Sequence, residues 1–279
     1  MAHVLSGPQR IVCLTEETTE TLYLLGEDHR IVGISGFTVR PARARKEKPK
    51  VSAFTSAKTE RIADLKPDLV LGFSDLQADI AAELIRAGIP VHVFNQRSVS
   101  EILEFIRMLG AMVGAQARTA ALLDELQRGL DEVQAAAAKL PCRPKVYFEE
   151  WDEPPISAIR WVSELIGIAG GDDVFPELAR EPSGKARIIA DATEVIRRAP
   201  DLIIGSWCGK KFAPDRVRAR PGWDAIPAVR NSQLGEVKSC DILQPGPAAL
   251  TDGLAQLHRL ISATAQAMDQ RLHARHAGA

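Results

Sequence analysis

The side chains best suited to chemistry in this chain are aromatic, and they cluster where apolar runs stop. Phe37, Phe73, Trp151 and Trp207 all follow such runs, and Phe54 lies just ahead of a repeated segment, in a chain with only 14 aromatic residues. Aromatic faces bury a large area with little loss of conformational freedom, so the set suits stacking against a flat, largely apolar ligand. Around them lie polar groups: Glu150 beside Trp151 in the acidic run Phe148-Glu149-Glu150-Trp151-Asp152-Glu153, Cys208 after Trp207, and Asp241 after Cys240. Catalysis is poorly served. The sequence has no Ser–His–Asp order, no Gly-rich phosphate loop and no His cluster, and Glu150 with Cys208 is the one credible acid–nucleophile pair. A non-enzymatic binder without a catalytic cofactor is expected. The four cysteines, at 13, 142, 208 and 240, lack CxxC spacing and nearby His pairs, so no protein metal site is expected. Three readings stay open for Cys208 and Cys240: a pair, ligands to the metal of a bound cofactor, or small polar residues. Cys13 and His92 lie in apolar strands and read as core residues.

The elements that must position these residues are legible from a repeat. Thr59-Glu60-Arg61-Ile62 to Lys66-Pro67-Asp68-Leu69-Val70-Leu71-Gly72 recurs about 134 positions later as Thr193-Glu194-Val195-Ile196 to Ala199-Pro200-Asp201-Leu202-Ile203-Ile204-Gly205, with one residue of slippage. Each copy reads as a short helix opened by a Thr cap, a Pro-Asp break and a buried parallel strand. Strands are expected at 10–14, 31–35 and 90–94 in the first half and at 145–148 and 235–238 in the second. Helical periodicity without strands fills 100–139, with Gly110 and Gly114 as breaks, and a terminal helix runs from 247 to about 271. The expected fold is α/β: two pseudo-symmetric lobes with parallel sheets, joined by one long helix, with a ligand cleft between the lobes. The expected division is an N-terminal lobe at 1–97, a connecting helical segment at 98–140 and a C-terminal lobe at 141–279. In parallel sheets of this kind ligands sit beyond the carboxyl ends of the strands, which is where the aromatic set falls.

Composition narrows the partners. Apolar residues are 46% of the 279, charged residues 25%, and the net charge is −1, which gives no basis for nucleic acid or an anionic membrane as the main partner. No apolar run approaches the ~20 residues of a membrane span. The start, Met1-Ala2-His3-Val4-Leu5-Ser6-Gly7-Pro8, has no basic region, apolar core or cysteine. The expectation is a cytoplasmic protein as written, or a periplasmic one if a leader has been removed. Nothing suggests an obligate dimer, and a monomer is expected.

The order of these motifs, with Val32-Gly33-Ile34-Ser35, Glu60 to Leu69-Val70, Gly170-Gly171 and Gly222-Trp223-Asp224-Ala225-Ile226-Pro227-Ala228-Val229, resembles the class III substrate-binding proteins of ABC importers, and within them the vitamin B12-binding branch. The resemblance runs from about Arg10 to Ile261. It implies cobalamin or a related corrinoid as ligand, bound by an ABC-transporter substrate-binding protein or a cytosolic carrier, with a ferric-siderophore or haem binder of the same fold as one alternative and a tetrapyrrole- or metal-processing enzyme as another. It places an aromatic residue at Phe54 and implies that Glu60 and Glu194 dock on arginines of a membrane permease. On this reading Phe37, Phe54, Phe73, Glu150, Trp151, Trp207, Cys208 and Asp241 line the ligand site. The acids at 149–153 would accept hydrogen bonds from amide groups around a corrin and disfavour an anionic siderophore. The basic run at 40–50 and the lysines Lys210 and Lys211 argue the other way. The chain departs from the family in having Thr15-Glu16-Glu17 where Ser-Pro is common.

Overall fold

The strand β1 (Ile11–Cys13) is buried along its whole length and lies at the middle of an all-parallel sheet. Its neighbours are β2 (Ile31–Ser35), β3 (Lys50–Ser52), β4 (Leu69–Phe73) and β5 (Val91–Phe94), in the order β3-β2-β1-β4-β5. Strands covered on both faces need continuous apolar runs, and β1 and β4 have them. In contrast β5 is an edge strand, so His92 is half-buried rather than a core residue, with its ring edge-on to Phe94 at 4.3 Å. The computed structural model describes residues 7–277, so most of the opening stretch inspected for a leader lies outside the described residues.

The second sheet has the order β10-β9-β6-β7, built from β6 (Lys145–Asp152), β7 (Pro155–Ser157), β9 (Leu202–Gly205) and β10 (Leu234–Glu236), and β8 (Asp172–Asp173) pairs with the start of β6. It differs from the expected all-parallel sheet. β6 does not stop at Phe148 but continues through the acidic run and turns at Glu153-Pro154 to pair antiparallel with β7, Trp151 facing Ile156. Charge at 149–152 hid this continuation, because the cations that neutralise it lie far away in sequence.

The repeat keeps its backbone form. Lys66 and Ala199, the residues before the Pro-Asp breaks, both take φ of 48°. Asp68 accepts the amides of Gln9 and Arg10 at 2.7 and 2.8 Å, and Asp201 accepts that of Lys145 at 3.0 Å. Each Pro-Asp therefore ties the start of one strand to the strand beside it. The Thr caps are not found. Thr59 and Thr193 are the first residues of the helices Thr59–Ala63 and Thr193–Arg198; Thr59 donates to Glu83, and the amide of Thr193 is held by Asp191.

By compactness the described chain forms two units. The first takes in the chain to Gln96, Ser100–Leu126 and Gln244–Pro247; the second takes in Arg97–Val99, Gln127–Leu243 and the chain from Ala248 on. Of the helical segment, Ser100–Leu126 falls in the first unit and the part from Gln127 in the second. Its first helix, Val99–Met112, buries Ile102, Phe105, Ile106 and Leu109, with Phe105 edge-on to Phe94 at 4.8 Å. Arg30 donates to the Val113 carbonyl at 3.2 Å, and Arg118 pairs with the buried Glu27. Gly110 is no helix break: a Cβ there would lie 1.8 Å from Thr119 Oγ1, so glycine permits the close approach of the following helix, Gln116–Ala137. Gly114, at φ 72°, ends the first helix. The second unit closes with a π turn at Ala249–Gly253 and the helix Leu254–Ala277.

Candidate functional site

In the first unit the carboxyl end of β2 carries Phe37, which is 64% exposed, its amide bonded to Ser35 Oγ at 3.2 Å. Phe54 is half-buried and Phe73 buried. Their loops are stitched by Gln77, a fully buried residue that the sequence reading passed over. It accepts the Phe73 amide at 2.9 Å and donates to the Phe54 carbonyl at 2.8 Å. No sequence signal marks it, since a lone Gln ahead of a helix reads as solvated.

Beyond β1 the helix Glu16–Leu24 begins with two buried carboxyls, Glu16 at 4% and Glu17 at 1% exposure. Glu16 accepts the Val39 amide at 2.5 Å and Glu17 accepts Thr15 Oγ1 at 2.5 Å, while Glu16 Oε1 and Glu17 Oε2 have no hydrogen-bond partner. Loss of water pushes Glu16 up to about 8 and Glu17 up to about 7, with Glu20 adding repulsion to both. The nearby basic run is spent largely on its own unit. Arg40 bonds Glu20 at 2.8 Å, Arg45 the carbonyls of Gly36 and Thr38, and Lys48 the carbonyl of Asp28.

In the second unit every acid of the run from Glu149 to Glu153 has a cation. Glu149 is fully buried and takes a two-pronged bond from Arg220 at 2.6 and 2.8 Å, with Tyr147 and Trp207 as further donors. Glu150 is bound by the buried Arg187 at 2.6 and 3.2 Å. Asp152 pairs with Lys210 and Arg216, which hold its carboxyl below the usual range against the opposing effect of burial. Glu153 pairs with Arg216 at 2.8 Å. The run is a neutralised lattice rather than an open row of acceptors. The arginines at 187, 216 and 220 are the partners of the acidic run that the sequence reading missed. Their only signal is an abundance of cations downstream.

Trp151 and Trp207 are brought together by this lattice, since the Lys210 ammonium lies 4.1 Å from the first ring and 5.4 Å from the second. Trp207, however, is a core residue, packed edge-on against Phe212 at 5.1 Å within the cluster of Tyr147, Phe175 and Trp223. It has no face to offer a ligand, whereas Trp151 is only half-buried.

Residues 11–239 match the family model described as periplasmic binding protein. The chain belongs to that family. The uncharacterized ABC transporter substrate-binding lipoprotein YvrC of Bacillus subtilis is 27% identical over 90% of this chain and 79% of its own length. The vitamin B12-binding protein of Vibrio parahaemolyticus is 27% identical over 87% of this chain and 86% of its own. Among solved structures, a periplasmic heme-binding protein from Pseudomonas aeruginosa superposes with a TM-score of 0.77 at 21% identity, covering 91% of this chain and 93% of that one.

In this member of the family Cys208 is exposed and Cys240 half-buried, and both are free thiols. Partial burial and the charge of Glu150 push the Cys208 thiol upward, the reverse of what an activated nucleophile needs. Asp241 accepts from Gln256 at 3.0 Å. No group of three or more acids, histidines or cysteines suited to a metal ion occurs among the described residues. Among the described residues no helix is long and apolar enough to cross a membrane. Glu60 is exposed, whereas its repeat partner Glu194 is gripped by Arg197 at 2.7 Å and approached by Arg198 at 3.7 Å.

Proposed function

We propose that this family member is a non-enzymatic binder of cobalamin or a related corrinoid, delivering it to an ABC permease. The observation that carries the reading is the alignment over most of both chains with a vitamin B12-binding protein. The exposed ring of Phe37 and the half-buried rings of Phe54 and Trp151 support it, because each stands at or beside a strand end with apolar surface for a macrocycle. Phe37, Phe54 and Trp151 are the aromatic contacts proposed, with Glu150, Cys208 and Asp241 as polar neighbours; Phe73 and Trp207 are buried and are left out of the contact set. Glu60 is the stronger of the two proposed permease contacts, because Glu194 would first have to release its arginines. Delivery to a permease places the protein in the periplasm, and cell fractionation distinguishes this from a cytoplasmic carrier.

A second reading, haem or a ferric siderophore, draws on one observation: Arg43 and Lys46, at and within the short helix Ala44–Glu47, and Lys50, the first residue of β3, are exposed and offer charge to an anionic ligand, Arg43 also lying 3.7 Å from Asp28. Titration of the purified protein with cyanocobalamin, hemin and a ferric siderophore, followed by tryptophan quenching, separates the two. Saturable binding of cyanocobalamin at micromolar concentration or below, weakened by Phe37→Ala and Trp151→Ala, is expected. Binding of hemin alone, weakened by Arg43→Ala and Lys46→Ala, would move the assignment to the anionic ligand.

A further inference from the structure

Lys210 lies on the loop after β9, beside Gly209 at φ 74°, and its ammonium occupies an aromatic and acidic cage. It sits 4.1 Å from the centre of the Trp151 ring and 5.4 Å from that of Trp207, and it forms an ion pair with Asp152. A cation over an indole face is held by the ring quadrupole, and more firmly when a carboxylate backs it. Asp152 is almost fully buried and Lys210 about one-third exposed, so the pair is shielded from much of the solvent screening that weakens surface ion pairs. We propose that Lys210 is a latch closed over the face of Trp151, an internal competitor that a planar ligand must displace before it can stack there.

The proposal rests on Trp151 being a ligand platform, as argued above, but its first half can be tested without any ligand. Trp161, Trp207 and Trp223 are 2%, 2% and 1% exposed, so among the four tryptophans Trp151 alone has a ring that a small quencher can reach. A latch lowers apparent affinity by the fraction of time it is open. If it is open about one-tenth of the time, removing it tightens binding by about tenfold.

The experiment compares wild-type protein with Lys210→Arg, Lys210→Ala and the double variant Asp152→Asn/Lys210→Ala, the last removing the buried carboxylate that Arg216 alone would otherwise balance. Acrylamide quenching of the unliganded proteins should rise about twofold or more in both alanine variants and stay at the wild-type level in Lys210→Arg. The dissociation constant for cyanocobalamin, or for hemin if hemin is the ligand that binds, should fall by about five- to tenfold in the alanine variants. Unchanged quenching in both alanine variants overturns the latch. Increased quenching with equal or weaker ligand binding overturns the competition. Failure of cyanocobalamin, hemin and a ferric siderophore to bind any of the proteins overturns the ligand assignment instead, and the acrylamide result then decides the cover over Trp151 alone.

Discussion

Arg220 and Glu149 show how a single residue holds the second unit together. The carboxylate is fully buried, and its four donors, two of them from Arg220, compensate for the water it has lost. Deleting one partner of such a pair strands the other in a poor medium, a loss of about 3–5 kcal/mol. Arg220→Ala should therefore lower stability by about that amount in urea unfolding, and Glu149→Gln/Arg220→Met should recover a large part of it. A loss below about 1 kcal/mol for Arg220→Ala would mean that Tyr147 and Trp207 suffice. Glu16 and Glu17 act in the opposite sense. Their carboxyls stay protonated in the folded protein up to about 8 and about 7, whereas unperturbed carboxyls release protons near 4.5. The folded state binds more protons across that window, so their contribution is complete below about 4.5 and is lost as pH rises through 7 and 8. Glu16→Gln should flatten this slope, leaving the variant more stable than wild type at about pH 8 by on the order of 2 kcal/mol. Identical slopes for the two proteins between about pH 5 and pH 8 would show that water reaches Glu16.

At the scale of elements, the Pro-Asp segments do work their sequence only hinted at. Asp68 receives two strand amides and Asp201 one. Asp68→Ala should therefore cost about 1–2 kcal/mol and Asp201→Ala about half as much, by chemical denaturation. The reverse order would show that the repeat is similar only in backbone. The same segments show what the sequence could reveal. Leu69-Val70-Leu71 and Leu202-Ile203-Ile204 were legible as buried parallel strands because burial on both faces demands unbroken apolar residues. The continuation of β6 was not, because Glu149, Glu150 and Asp152 look solvent-facing until Arg220, Arg187, Lys210 and Arg216 arrive from up to 71 residues away. For the same reason the candidate site was only partly legible. An aromatic type marks Trp151 and Trp207 equally, but packing against Phe212 makes one of them core, and no local pattern encodes that packing. Nor could the Glu16-Glu17 pair be recognised as buried, since acids opening a helix ordinarily face water.

The whole molecule is not two consecutive pieces of chain, and its folding should reflect this. The first unit recruits Ser100–Leu126 and, from deep in the second half, Gln244–Pro247. Each return has a physical reason. Ile102, Phe105, Ile106 and Leu109 are buried in the helix Val99–Met112, and full burial of such side chains is worth about 1.5–3 kcal/mol each. Losing all four forfeits about 6 kcal/mol or more, comparable with the 5–15 kcal/mol that stabilises an ordinary domain. Gln244–Pro247 is held by Gln96, which donates to the Pro245 carbonyl at 2.9 Å, and by Gly246, whose missing Cβ leaves room for Glu17. A fragment of residues 1–97, although it contains every strand of the first sheet, should show no cooperative urea transition. A fragment of residues 1–140 should unfold cooperatively, but at lower urea than the full chain because Gln96 and Glu17 lose their returning segment. Cooperative unfolding of the shorter fragment at the same midpoint as the longer one would show that the helix is an accessory to the first sheet. Loss of cooperativity on removing 98–140 makes that helix part of the unit's core, a role that helical periodicity alone cannot distinguish from that of a connecting rod.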